Sequence, residues 1–173
     1  MIPMLTTDRL ILRPMTIEDW EPYATMWADP RVTEFIGGEP RTRAVSWPKF
    51  VQSTGFWLLF GYGYWTITDG DGRFIGIGGF AQQKRGIPEL VGYPECGWTF
   101  IPDVWGRGIA SEAVAAMVEW ADSALGVETR CLIDKSNTAS IKVATRNGYS
   151  CFSDSANDPA LFRRRGPLAA SPA

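Results

Sequence analysis

The 173-residue sequence predicts a mixed α/β fold, and three observations carry that reading. Its length fits a single domain with one proper core. The first half holds short apolar runs with a strong hairpin signal between two of them, as an antiparallel sheet requires. In the second half, strand, glycine loop, helix and strand follow one another. We read residues 1–165 as one domain and 166–173, rich in Pro and Ala, as a frayed tail.

Arg9 to Pro14 is an apolar run stopped by proline, the first strand. Thr16 suits a helix N-cap, with Glu18 and Asp19 near the positive end of the helix dipole. Trp20, Tyr23, Ala24 and Trp27 then recur at helical spacing until Asp29-Pro30. Pro40 and Pro48 bracket Arg41 to Trp47, which predicts a second helical region broken or started at Pro48. Tyr64 to Thr68 and Phe74 to Phe80 are strands joined by Asp69-Gly70-Asp71-Gly72, a hairpin signal, and the glycines of the second strand imply close backbone approach. After a loop over Gly86 to Pro94, Glu95 to Ile101 is the fourth strand. Ile109 to Leu125 is a helix with Ala113, Val114, Met117, Val118 and Ala121 on one face, closed by Gly126. Thr129 to Ile133 is the fifth strand, Asn137 to Asn147 a helix ended by Gly148, and Tyr149–Phe152 and Ala160–Arg164 are the last strands.

Composition narrows the function. A hydrophobic share of 45% and a charged share of 21% are those of a soluble globular protein. No run approaches the roughly 18 apolar residues of a membrane span, and no leader-like segment opens the chain. Arg163-Arg164-Arg165 is the sole basic block and the net charge is −2, so a nucleic-acid surface is not expected. Cys96, Cys131 and Cys151 are odd in number and unpaired in spacing. They read as free thiols of a reducing cytoplasm, small buried hydrophobes on strands, with no metal site. Histidine is absent, which removes Ser-His-Asp and Cys-His catalysis. Any proton must move through carboxylates, Tyr, Cys, Lys or water.

Trp105-Gly106-Arg107-Gly108-Ile109-Ala110 lies between strand and helix, the arrangement that binds phosphate. Its glycines let backbone amides converge on oxygen anions, the helix adds its free N–H groups, and Ser111 adds a hydroxyl. A Walker loop needs a lysine that this segment lacks. A dinucleotide fingerprint needs a third glycine where Ser111 stands, although Glu128, about 20 residues on, keeps that reading open as the lesser one.

Pro102 to Ala113 resembles the coenzyme A signature Q/R-x-x-G-x-G/A of the GNAT superfamily of N-acetyltransferases. Trp105 stands at the Q/R position, Gly108 at the glycine and Ala110 at the final small residue. The Trp departs from the general pattern and is similar to the Trp-Gly-x-Gly form of the ribosomal-protein-alanine acetyltransferase branch. Leu5 to Arg13 is similar to the opening strand of that branch, and Asn137-Thr138-Ala139-Ser140 followed by Arg146-Asn147-Gly148-Tyr149 to its Asn-x-x-Ser…Gly-Phe/Tyr helix.

The resemblance implies a mostly antiparallel sheet of six to seven strands, splayed between the fourth and fifth, with about four flanking helices. It implies acetyl-CoA as co-substrate, bound by Phe100, Ile101, Trp105, Gly106, Arg107, Gly108, Ile109, Ala110, Ser111 and Asn137, with no metal. Its acceptor would be a primary amine, on a protein N-terminus or a small molecule, and the protein a monomer or homodimer. A backbone N–H of the fourth strand would hold the oxyanion. Glu95 is the first choice for the base, a carboxylate made useful by partial desolvation, ahead of Glu34, Glu89 and Asp134; an exposed strand-end carboxylate is its plain alternative. Asn137 and Ser140 read either as a helix cap or as contacts to the pantetheine arm, with Ser140 as the acid. Arg107 reads equally as a phosphate contact or a solvent-facing loop residue. Two readings stay beside this one: a non-catalytic acyl-CoA-binding protein, and an antibiotic or amino-acid-analogue acetyltransferase.

Overall fold

The computed structural model describes residues 1–154 and 159–166. The tail expected over 166–173 therefore lies outside the described residues, apart from Gly166. The strands are β1 (Leu5–Thr6), β2 (Leu10–Arg13), β3 (Tyr64–Asp69), β4 (Phe74–Ala81), β5 (Glu95–Phe100), β6 (Thr129–Ile133), β7 (Ser150–Ser153) and β8 (Ala160–Arg164). They form one sheet in the order β1-β2-β3-β4-β5-β6-β8-β7. Every neighbouring pair is antiparallel except β5 and β6, which are parallel. The eighth strand, beyond the six or seven expected, is the two-residue β1, which pairs its own neighbour through Leu5↔Leu12 and Thr6↔Ile11.

The helices are α1 (Trp20–Trp27), α2 (Pro30–Thr33), α3 (Arg43–Phe60), α4 (Ile109–Ala124) and α5 (Thr138–Arg146). Pro48 does not break or start a helix: α3 runs through it. Pro48 lies on the exposed side, where water can solvate the carbonyl its ring leaves unbonded, while Ser46, Phe50 and Ser53 stay buried. The helix instead starts at Thr42, whose hydroxyl accepts from the Val45 amide at 3.3 Å. Asp19 holds its expected place in the first helical turn after Thr16, accepting from the Thr16 amide at 2.8 Å, and has a second role. It is buried, and it ties β2 to β3 through Arg13 and Thr66.

Local signals elsewhere act as read. Gly126 adopts φ 62° and its amide bonds the Ala121 carbonyl, closing α4. The buried face of α4 is Ala113, Val114, Met117, Val118 and Ala121, packed in one hydrophobic cluster with Leu10, Leu12, Ile67 and Ile75. A side chain at Gly78 would meet the Met117 thioether at 2.8 Å, and one at Gly79 would run into the Gly63 carbonyl. These glycines are therefore the close approaches the sequence implies. A second cluster joins Tyr23, Met26 and Trp27 of α1 to Phe50 of α3 and Ile77 of β4. Trp57, Trp65 and Trp120 meet edge to face at 4.7 to 5.4 Å, so most of the aromatic share is core.

Candidate active site

The two parallel strands barely meet. Their registered contact is Glu95↔Arg130, with the Arg130 amide on the Pro94 carbonyl at 3.0 Å. Along its other edge β5 pairs β4 from Glu95 to Phe100, and the Ile101 amide continues to the Ile75 carbonyl. Antiparallel alternation then turns the amides of Gly97 and Thr99 toward β4, and those of Trp98 and Phe100 into the gap beside β6. The sheet is splayed where expected, with donors lining the opening.

Two cavities meet at this gap. One, of about 350 Å³, is lined by Phe100, Trp105, Gly106, Gly108, Ile109, Ala110 and Ser111, and by Asn137, Lys142 and Arg146 of the α5 segment. The other, of about 410 Å³, is lined by Tyr23, Trp27, Arg41, Lys49, Tyr64, Arg85 and Glu95. Phe35, Ile36, Trp98, Thr99, Asn137 and Ser140 border both.

Gly106 and Gly108 adopt φ 73° and 77°, the left-handed region open to glycine. That pair of turns swings the chain so that the amides from Gly106 to Ser111 bond no group among the described residues. Free first-turn amides at the positive end of a sixteen-residue helix make an anion cradle. The Ser111 hydroxyl is buried there without a partner among the described residues. Both features fit a pyrophosphate and the arm attached to it.

The loop is held from outside. Trp105 donates its indole N–H to the Phe100 carbonyl at 3.0 Å, so at the signature's first position the ring clamps loop to strand. Arg9 donates to the Arg107 carbonyl at 3.0 Å and to Glu112 at 2.6 Å, and Thr7 to Glu112 at 2.6 Å. The opening Thr-x-Arg stretch is thus part of the loop's support. Two expected coenzyme residues place their side chains outside this cavity. Arg107 borders a surface depression with Arg9 and Arg73, because its carbonyl is tied by Arg9. Ile101 packs between the two hydrophobic clusters while its amide bonds Ile75. Lys142 and Arg146 were not foreseen; their four-residue spacing on α5 was the available signal.

Asn137 caps α5, its carbonyl accepting from the Ser140 amide at 3.0 Å, yet it also borders both cavities. The cap and pocket readings therefore coexist in one side chain. Glu95 is buried, 7% exposed, and clasped by Arg85: Nε lies 3.1 Å from both carboxylate oxygens and Nη2 3.0 Å from Oε1. The expected desolvated carboxylate is an ion-paired one. Asp134 borders the same cavity, Glu34 borders the coenzyme side, and Glu89 borders neither. Beside Glu95, Tyr64 is pushed up by burial, and its hydroxyl fills the space a side chain at Gly97 would need.

Burial pushes the Cys96 thiol up to about 12 and raises Cys131 as well, so neither offers a thiolate at neutral pH. Cys151 is exposed, contrary to expectation, because β7 is the edge strand of the sheet. The Tyr149 hydroxyl is buried against Thr129 at 2.8 Å, away from both cavities.

A family model described as an acetyltransferase (GNAT) domain matches residues 9–150. The chain belongs to the GNAT acetyltransferase family. Among GNAT relatives, the uncharacterised N-acetyltransferase p20 of Bacillus licheniformis is 30% identical over 142 residues, covering 80% of this chain and 78% of the relative. The crystal structure of an acetyltransferase from Agrobacterium tumefaciens superposes with a TM-score of 0.84 at 30% identity over 95% of each chain. RimL, a ribosomal L7/L12 α-N-protein acetyltransferase in complex with coenzyme A, shares this GNAT fold at a TM-score of 0.76 and 15% identity, over 96% of this chain and 99% of its own. No helix among the described residues is long and apolar enough to cross a membrane.

Proposed function

We propose that the protein transfers an acetyl group from acetyl-CoA directly to a primary amine, with coenzyme and acceptor in the two cavities at once. The observation that carries this is their meeting at the splayed strands, between an anion cradle and a buried carboxylate. Bound acetyl-CoA supplies an activated acyl group as a thioester. The amides of Gly106 to Ser111 would hold the pyrophosphate, with Lys142 and Arg146 adding charge from α5. Asn137, whose amide nitrogen has no partner among the described residues, is suited to bond the pantetheine arm.

Glu95 accepts the proton of the attacking amine, directly or through one water. Arg85 occupies one face of its carboxylate and leaves other lone pairs for that proton. As the amine nitrogen bonds the acyl carbon, the Trp98 or Phe100 amide in the gap takes the negative charge on oxygen. The carbon–sulfur bond then breaks, and the Ser140 hydroxyl, bordering both cavities, would relay a proton to the sulfur while taking back, through water, the one the amine lost. With Cys96 and Cys131 held as thiols, an acyl-cysteine route has no nucleophile in these cavities.

Release of free thiol from acetyl-CoA across a panel of peptides, amino acids and aminoglycosides tests this reading. Glu95→Gln is expected to lower kcat by about a hundredfold or more, the usual contribution of a general base, with KM for acetyl-CoA little changed. Unchanged kcat in that variant would remove Glu95 as base. No turnover on any amine, with coenzyme still bound, would favour a non-catalytic acyl-CoA binder.

A further inference from the structure

The acceptor cavity is cationic although the whole chain is mildly acidic. Its charged lining is Arg41, Lys49 and Arg85 against Glu95 and Asp134. Arg85 and Glu95 neutralise each other in their close pair. Asp134 faces its own turn, accepting from the Ser136 amide at 2.8 Å. Arg41 and Lys49 are left without a carboxylate among the described residues, with their charges close enough to repel.

Arg41 is the more telling of the two. It is partly buried, and its guanidinium lies 3.5 Å from the centre of the Trp27 ring. A ring face attracts the charge but accepts none of its N–H bonds in the plane, so its planar fork stays open. Burial, and then the positive charge of Arg85, lower its proton affinity; burial, Arg41 and Arg85 do the same for Lys49. The Trp27 indole N–H, buried in this wall, has the Tyr23 hydroxyl as a neighbouring acceptor, outside ideal hydrogen-bond geometry. A partly desolvated guanidinium and an ammonium thus line one cavity with no carboxylate among the described residues to receive them, and the guanidinium's desolvation costs stability unless a ligand completes it. A polycationic acceptor would meet repulsion here.

Resting on the acetyltransferase reading, we propose that the acceptor is an amine that also bears a carboxylate, and that Arg41 and Lys49 grip that carboxylate while the amine faces Glu95. With Arg85 and Glu95 paired, Arg41 and Lys49 outnumber Asp134 by one charge, which matches a singly charged carboxylate. The rings of Trp27, Phe35 and Phe56 in the same wall suit an apolar body between the two groups.

The test is a melting series on the protein saturated with acetyl-CoA, using phenylpropionate, phenylpropionamide and phenylpropylamine as probes. The carboxylate alone is expected to raise Tm, with its half-saturating concentration about tenfold higher in Arg41→Gln and in Lys49→Gln, the scale of one charge-assisted bond lost. Lys49 is exposed on α3, so its variant decides the matter even if Arg41→Gln does not fold. Equal or greater stabilisation by the amide or amine, no response to any probe, or an unchanged carboxylate response in Lys49→Gln would each overturn the proposal. An absent acetyl-CoA shift in the wild type would strike the acetyltransferase reading itself, whereas an intact acetyl-CoA shift without the carboxylate response strikes this proposal alone.

Discussion

Gly108→Val is expected to lower kcat/KM for acetyl-CoA by about ten- to a hundredfold while costing little thermal stability. The backbone at Gly108 sits at φ 77°, and a β-branched residue held there stores about 1–3 kcal/mol of strain. Nothing crowds the position: an added Cβ would meet just the Arg9 guanidinium at 3.7 Å. The loop can therefore relieve the strain by turning residue 108 out of the left-handed region, and that motion carries the amides of Ile109 and Ala110 away from a common anion. Strain relieved in the free protein reappears as lost affinity, since 1.4 kcal/mol is tenfold in binding. Steady-state kinetics with varied acetyl-CoA, beside a thermal melt, reads both quantities. A variant with wild-type KM would show that the loop amides do not hold the coenzyme.

Asp19→Asn is expected to cost about 3 kcal/mol at pH 7, the lower end for breaking a buried ion pair, because Arg13 keeps 29% of its side chain in solvent. Arg13 reaches both Asp19 oxygens at 2.7 and 2.8 Å, the Thr16 amide adds a bond at 2.8 Å and Thr66 one at 2.9 Å. Burial alone would raise this carboxyl, but those donors outweigh it and hold it below its ordinary 3.8. A depressed folded value means that the stabilisation is complete above about pH 4 and is lost as pH falls through the folded value. The wild type should therefore lose stability on acidification below pH 4 more steeply than Asp19→Asn, whose amide does not titrate. Urea unfolding at pH 7 and through the acid range measures both effects. A loss under 1 kcal/mol at pH 7, or parallel acid limbs, would contradict this account of how α1 is anchored to the sheet.

These two residues mark what the sequence reveals and what it hides. Gly108 was readable because a left-handed loop before a helix is written in neighbouring residues, as are the Asp69–Gly72 turn and the Gly126 stop. The apolar face of α4 was readable because helical spacing repeats within one segment. Asp19 was readable as a first-turn helix charge, but its burial was hidden because that depends on Arg13 and Thr66 in two strands. Pro48 was misread for a related reason: whether a proline breaks a helix depends on the solvent at the freed carbonyl. Cys151 became exposed because β8 inserts between β6 and β7 and leaves β7 at the edge. In the candidate site, the loop and Glu95 were singled out through local pattern and resemblance. The clasp of Arg85 on Glu95 joins the loop after β4 to the start of β5, and Arg41, Lys49 and Arg85 line one cavity from the chain before α3, from α3 itself and from that loop. A net charge of −2 gave no hint that this cavity is cationic.

Calorimetric titration with acetyl-CoA, compared with acetyl-pantetheine, ATP and NAD, tests the central claim most directly. The expected result is one acetyl-CoA per chain, bound in the micromolar range usual for such substrates, with acetyl-pantetheine at least about a hundredfold weaker because it lacks the phosphates that the Gly106 to Ser111 amides would receive. Equal affinity for the two thioesters, or a preference for ATP or NAD, would contradict it.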